Sequence, residues 1–214
     1  IFGHKKGVEA LRQIIESCAN YGVSILTIFA FSSENWRRPP EEVSALKRLL
    51  FSSLITEADS LVSNGVRLRV IGDLDPFGPA ILDLVERTES RTAQNHKLEL
   101  VIAVNYGGRW DVVSACRRLA MRVADGVLSS DDIDESSVAE ALSTSARPDS
   151  DLCIRTGGEY RISNFLLWQL AYTELYFSAV LWPEFSEEAF VAALKWYARR
   201  QRRFGKTQDP VSAS

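Results

Sequence analysis

Three short segments gather side chains that could do chemistry. Arg155-Thr156-Gly157-Gly158-Glu159-Tyr160-Arg161-Ile162-Ser163-Asn164 holds two arginines six residues apart, a glycine pair and a Ser-Asn pair. A guanidinium is a planar fork of N–H donors that matches phosphate oxygens. Glycine lets the backbone approach an anion closely, and a serine hydroxyl adds a donor. Together these suit a diphosphate, although the same residues would also make a surface turn with solvated arginines. Phe31-Ser32-Ser33-Glu34-Asn35-Trp36-Arg37-Arg38-Pro39 offers hydroxyls, a carboxylate, an amide, an indole and arginines. It also reads as a helix start, with Ser or Asn capping and proline in the first turn. Both roles can hold, because a helix N-terminus favours anions. In Asn105-Tyr106-Gly107-Gly108-Arg109-Trp110-Asp111, the glycine pair either cradles a phosphate or makes a tight strand-to-helix turn packed by Trp110. The turn is the favoured reading.

Two single residues stand out. His4 lies at a helix start before Lys5-Lys6 and reads by itself as a cap or a solvated residue. Glu174 sits among Tyr172, Leu175, Tyr176 and Phe177, and a carboxylate in such company needs a partner. A cation, an arginine or a structural salt bridge would serve. The acidic run Asp131-Asp132-Ile133-Asp134-Glu135 lacks an aspartate at its fifth place and follows Ser129-Ser130. It reads as a loop and helix cap rather than a metal motif.

The elements that must position these segments alternate. Apolar spacing predicts helices over 5–20, from Pro39-Pro40 through Leu61, and over 76–95, 109–124, 134–142 and 186–204. Strands are predicted over 23–31, 66–71, 98–104, 152–154 and 175–177. Strands separated by helices imply parallel pairing. The expected fold is therefore one α/β domain with a mostly parallel central sheet flanked by helices. Ligands in such sheets bind at the carboxyl ends of the strands, and that rule selects the same three segments.

Composition bounds the partners. The chain has 214 residues and a formal net charge of −3, which argues against broad nucleic-acid binding. Cys18, Cys116 and Cys153 are odd in number and set in apolar patterns, so they read as buried free thiols of a reducing compartment. With His4 and His96 the only histidines, a zinc site is not expected. No run approaches a membrane span, and no signal-peptide pattern is present. Met121 is the only methionine, so the chain reads as a processed or incomplete polypeptide.

The motifs together resemble the cis-prenyltransferase (undecaprenyl diphosphate synthase) family. Gly3 to Lys5, Phe31 to Trp36, Asn105 to Asp111, Arg155 to Glu159, Arg161 to Gln169, Glu174 to Phe177, Leu181 to Pro183 and Arg202 to Gly205 all match in order and spacing. The resemblance implies a cytoplasmic homodimer, loosely associated with a membrane through its lipid product. It implies that isopentenyl diphosphate condenses onto an allylic diphosphate with Mg²⁺ as cofactor. Arg155, Arg161, Ile162 and Ser163 would bind the isopentenyl diphosphate, and Glu174 would help hold the metal. His4, Ser32, Ser33, Glu34, Trp36 and Arg38 would surround the substrates. Asn35 would take part in proton removal by positioning, since an amide is a poor base. Arg203 and Gly205 would complete the partner's active site. The helices bearing Val43, Leu46, Leu50 and Leu54 and Ile81, Leu84 and Val85 would line a hydrocarbon tunnel, with Leu98 near its floor.

The family's Asp-Gly-Asn-Gly-Arg-Trp segment, which follows a first strand, has no counterpart here. The expectation is an N-terminally incomplete domain over residues 1–205 with its first strand missing, and a polar tail over 206–214. A non-catalytic subunit of a heteromeric prenyltransferase is the alternative. Retention of Asn35, Arg155, Arg161 and Ser163 favours catalysis.

Overall fold

The computed structural model describes residues 2–200, with side chains from Lys6 onward. Its elements are α1 (Phe2–Asn20), β1 (Ile25–Ser32), α2 (Pro40–Ser63), β2 (Val66–Ile71), α3 (Pro79–Thr92), β3 (Leu98–Tyr106), α4 (Gly108–Ala124), α5 (Glu135–Ala141), β4 (Leu152–Arg155), β5 (Glu174–Phe177) and α6 (Glu187–Ala198).

β3 is the central strand because its sequence is apolar on both faces. Leu98, Leu100, Val101, Ala103, Val104 and Tyr106 are all buried. It pairs in parallel with β1 on one side and β2 on the other. β2 alternates: Val66 and Leu68 are buried while Arg67 and Arg69 face outward, the pattern of a strand with one wet face. α2 starts at Pro40 with Glu41 and Glu42 in its first turn, where fixed φ and the helix dipole favour them. It buries Val43, Phe51, Leu54, Ala58 and Leu61 in a core shared with Phe31, Leu68, Val85 and Leu98. The other face of the sheet packs Val101, Ala103 and Tyr106 against Leu166, Leu170, Phe165 and Trp110.

All five strands are parallel, as the alternating pattern predicts, but they form two hydrogen-bonded sets, β1-β3-β2 and β4-β5. Ile25 to Ala30 of β1 and Leu152 to Arg155 of β4 line one cavity of about 1880 Å³. Leu46, Leu50 and Leu54 of α2 and Leu11, Ile14 and Ile15 of α1 complete much of its wall. Unpaired strand edges are templates for a further strand.

Several expectations are corrected. The predicted 76–95 helix is broken: a 3-10 turn spans Asp75–Phe77, Gly78 takes φ 86°, and α3 begins only at Pro79. Left-handed Gly78 and the proline after it cannot continue a helix. α6 ends at Ala198, short of 204. Cys18 is buried and Cys153 partly so, but Cys116 is exposed on α4. Leu98 and Val85 are core, and Ile81 and Leu84 pack against that core; none of the four lines the cavity, whose helical walls include α2 but not α3. The acidic run is indeed a cap: Asp134 Oδ1 accepts from the Ser137 N–H at 2.8 Å.

Candidate active site

The site is built where β1, β3 and β4 end. An extra residue at Ala30 on β1 is answered by one at Asn105 on β3: Phe31 pairs Val104, and Ser32 pairs Tyr106, back in the register of Ile25 with Glu99. These irregularities kink the strand locally just before Ser32, which stands at the head of the 3-10 turn Ser33–Arg37. Asn35 Oδ1 accepts from the Ser32 N–H at 2.8 Å, which leaves its Nδ2 as donor. Trp36 is fixed at both ends. Its Nε1 donates to Asn105 Oδ1 at 2.8 Å, and its ring packs against Phe31 and Phe77. Lys47 Nζ lies 5.2 Å from the Trp36 centroid, within cation–π range.

Asn105 holds this corner together. It adopts φ 48°, a left-handed conformation that asparagine tolerates better than most residues. Its Nδ2 donates to the Asp73 carbonyl at 2.8 Å, tying the end of β2 to the end of β3. Gly72 makes that approach possible, since a Cβ there would lie 1.9 Å from the Val104 carbonyl oxygen.

The third segment follows β4. Gly157 and Gly158 have φ 86° and 72°, and their N–H groups donate to the Val180 and Ser178 carbonyls. The turn is thus pinned to the chain after β5. Ser163, Asn164 and Leu166 also have positive φ. Such a run of strained non-glycine residues is held only by its surroundings and points to function. Arg38, Arg155, Arg161 and Ile162 line the same cavity. In this state Arg38 pairs with Glu42 at 2.7 Å and Arg161 pairs with Glu159. Both pairs are exposed and worth little, about 0–1 kcal/mol, so an incoming anion can displace them.

The glycine pair of β3–α4 is structural. The Gly108 N–H donates to the Asn164 carbonyl at 2.6 Å and the Arg109 N–H to Asn164 Oδ1 at 2.9 Å. Two donors of the α4 N-terminus are therefore committed and do not face an anion. Behind them Asp111, fully buried, accepts from Tyr106 Oη and from the Ser143 N–H, both at 2.9 Å.

Asn164 also donates from Nδ2 to Glu34 Oε1 at 2.8 Å. Burial pushes the Glu34 carboxyl upward. The bonds from Asn164, its own N–H, Ser32 and Ser33 outweigh this and hold it below the ordinary carboxylate range.

Ser32, Ser33, Glu34, Asn35, Trp36, Arg38, Arg155, Arg161, Ile162 and Ser163 thus belong to one end of the sheet. Glu174 does not. It is the first residue of β5 and stands in register with Leu152, three positions before Arg155, about 10 Å along the strand. Its carboxylate accepts from Arg200 Nε at 3.1 Å. Of the open readings for Glu174, the arginine partner is the one observed. Among the described residues no group of three or more His, Cys, Asp or Glu side chains gathers into a metal site. These residues therefore do not form a protein cage for Mg²⁺. The side chain of His4, and Arg203, Gly205 and the 206–214 tail, lie outside the described residues. Sequence reasoning did not single out Asn105 and Asn164 within their segments; a signal was available, since asparagine tolerates the left-handed conformation better than most residues.

Comparison with known proteins identifies the class. The family model "Putative undecaprenyl diphosphate synthase" matches residues 1–205, and the chain belongs to this prenyltransferase family. It is 53% identical over 213 residues to the (2E,6E)-farnesyl-diphosphate specific ditrans,polycis-undecaprenyl-diphosphate synthase of Pseudomonas aeruginosa, covering 100% of this chain and 85% of that one. It is 51% identical to an isoprenyl transferase of Nitrosomonas europaea, covering 99% and 80%. Among solved structures, lavandulyl diphosphate synthase from Lavandula x intermedia in complex with dimethylallyl diphosphate superposes with a TM-score of 0.91 at 37% identity, covering 95% of this chain and 88% of that one. A "probable undecaprenyl diphosphate synthase" from Campylobacter jejuni gives 0.84 at 34%, covering 94% and 93%. Among the described residues no helix is long and apolar enough to cross a membrane.

Proposed function

We propose that this protein condenses isopentenyl diphosphate repeatedly onto an allylic diphosphate, with farnesyl diphosphate as primer, to give a long cis-polyprenyl diphosphate such as undecaprenyl diphosphate. One observation carries the reading: Arg38, Arg155 and Arg161 all line a single cavity whose α2 wall includes Leu46, Leu50 and Leu54. Cationic forks in the lining suit diphosphates, and the aliphatic wall suits the growing chain. In each round the allylic C1–O bond breaks and diphosphate leaves. A C–C bond forms to the isopentenyl C4, and a proton is lost from isopentenyl C2. Arg155, Arg161 and Ser163 hold the isopentenyl diphosphate. Ser32, Ser33 and Arg38 lie toward the second diphosphate, and Trp36 closes the pocket. Asn35 orients groups through Nδ2, the donor end of an amide whose oxygen is anchored to the Ser32 N–H.

Mg²⁺ belongs to the reading through resemblance. With no cage among the described residues, it would be carried on substrate diphosphate oxygens with at most one or two carboxylates, the usual habit of this ion. A homodimer, His4 near the diphosphates, Arg203 and Gly205 in the partner's site, a cytoplasmic setting and membrane contact through the product are further parts of the proposal that rest on the same resemblance.

The test incubates the protein with Mg²⁺, farnesyl diphosphate and labelled isopentenyl diphosphate and sizes the dephosphorylated products. A ladder ending at one length is expected. Arg155→Ala and Arg161→Ala should each raise KM for isopentenyl diphosphate about 10–100-fold, the value of a charge-assisted hydrogen bond. Turnover by the double variant at the native rate would defeat the reading.

A further inference from the structure

The two substrate-side segments, 32–38 after β1 and 155–164 after β4, come from strands that share no hydrogen-bonded sheet. One side chain joins them. Asn164 Nδ2 donates to Glu34 Oε1 at 2.8 Å, and Asn164 Oδ1 accepts from the Arg109 N–H at 2.9 Å. Its carbonyl accepts from the Gly108 N–H at 2.6 Å. The amide can point only one way, since a carboxylate needs a donor and an N–H needs an acceptor. Three strand ends therefore meet at one residue.

The space around it is closed. A Cβ on Gly107 would lie 2.6 Å from Asn164 Nδ2 and 2.8 Å from Ser33 Oγ, and one on Gly108 would lie 2.6 Å from Leu167 Cγ. Asn164 has φ 62° and follows Ser163 at φ 49°. Serine enters that region only under constraint, and the constraint is the bonded neighbour. Gly107 is the counterpart of Asn164, cut back to backbone so that the asparagine can seat, and Gly108 makes the same room for Leu167.

We propose that Asn164 is a positioning residue that sets the 155–164 diphosphate-binding turn against the 32–38 segment, so that the two substrates meet in reacting register. The inference rests on the function proposed above. Asn164 touches neither substrate. It acts through Ser163 and Arg161 on one side and through Glu34 on the other. Misplacement of a reacting group by about 1 Å can lower a rate 10²-fold, so a link at this point has leverage on turnover.

Asn164→Gly is the clean probe. Glycine accepts φ 62° without strain and keeps the carbonyl that receives the Gly108 N–H, so only the amide is lost. The intact protein is assayed for isopentenyl diphosphate binding by calorimetry and for turnover with farnesyl diphosphate. The expected result is weaker isopentenyl diphosphate binding by about tenfold and a fall in kcat of about 10–100-fold, with the melting temperature little changed. A reversed pair supplies the second readout. Asn164→Asp places a carboxylate against Glu34, and adding Glu34→Gln lets the introduced amide donate to the introduced carboxylate. Glu34→Gln should raise affinity and kcat/KM at least tenfold in the N164D background and should not raise them in the native background. Native affinity and turnover in N164G, or no gain in the reversed pair, overturns the inference. If the native protein binds isopentenyl diphosphate without turning over, the proposed reaction fails, and the binding measurements still decide the role of Asn164. Should N164D not fold, N164G decides alone.

Discussion

Asn35 Oδ1 receives the backbone N–H of Ser32 at 2.8 Å, which anchors the oxygen to its own turn and fixes Nδ2 as the donor side of the amide. What it can offer a substrate is Nδ2. Asn35→Asp keeps the acceptor, loses the donor and adds a negative charge beside the diphosphates. We expect kcat to fall about 10²-fold, the scale of one positioned donor. Asn35→Ala should show a comparable fall together with about 0.5–2 kcal/mol of lost stability from the missing cap. Steady-state kinetics and urea unfolding read both. An aspartate variant with native kcat would mean that the residue acts as a base after all.

The glycine pair before α4 makes a stability prediction. Gly108→Ala drives a methyl to within 2.6 Å of Leu167 Cγ and 2.9 Å of the Leu167 nitrogen. Overpacking of this kind costs about 1–3 kcal/mol, or a fall in melting temperature of about 2–4 °C for each kcal/mol in a protein of this size. The displaced Leu167 follows Asn164 by three residues, so activity should fall too. Gly126, at φ 70° with nothing within 4 Å, is the control. Its alanine variant should lose stability through φ alone and keep full kcat. Equal kinetic effects at the two positions would contradict this account.

Most of the layout was legible because it is local. The strand over 66–71 alternates, the run from Leu98 is apolar on both faces, and Pro40 marks the start of α2. The strand-end rule then selected the segments that meet at the site. What the sequence hid was relational. Glu174 and Arg161 both carry charge near β4 and β5, but the parallel register puts Glu174 at the opposite end from Arg155. The glycine pair left a phosphate cradle open beside the favoured turn; the turn is what forms, with the Gly108 and Arg109 N–H groups donating to Asn164, 55 residues from Arg109. Cys116 sits in an apolar pattern, yet its face of α4 is open. Periodicity assigns a residue to a helix face more readily than it tells whether anything covers that face.

Metal removal should separate catalysis from folding. Among the described residues no acidic or histidine cluster exists to hold a cation, and Glu174 alone, paired with Arg200, would not make one. Excess EDTA is therefore expected to stop product formation and leave the melting temperature unchanged, with Mg²⁺ restoring the rate. A large drop in melting temperature on chelation would reveal a structural metal site and refute the assignment of Mg²⁺ to the substrates.

The buried thiol and phenol predict alkaline sensitivity of definite sign. Burial pushes the Cys18 thiol up to about 12 from 9.0. Burial, then the charge of Asp111 and the bond to it, raises the Tyr106 phenol above its ordinary 10.0. Both groups lose their proton more readily when unfolded. Their contribution is fully present below pH 9 and is lost as pH rises from there, by up to ~1.4 kcal/mol per pH unit for each group. Urea unfolding at pH 7, 9 and 10.5 should show a flat stability followed by a decline, and Cys18→Ala should reduce the early part of that decline. Thiol labelling offers an independent check. Cys116, exposed, should react in the native protein. Cys153, raised by burial against the opposing charge of Arg155, should react more slowly. Cys18 should react only when the chain unfolds. Labelling of Cys18 at the rate of Cys116 would show that α1 opens from the core far more often than the burial of Cys18 allows.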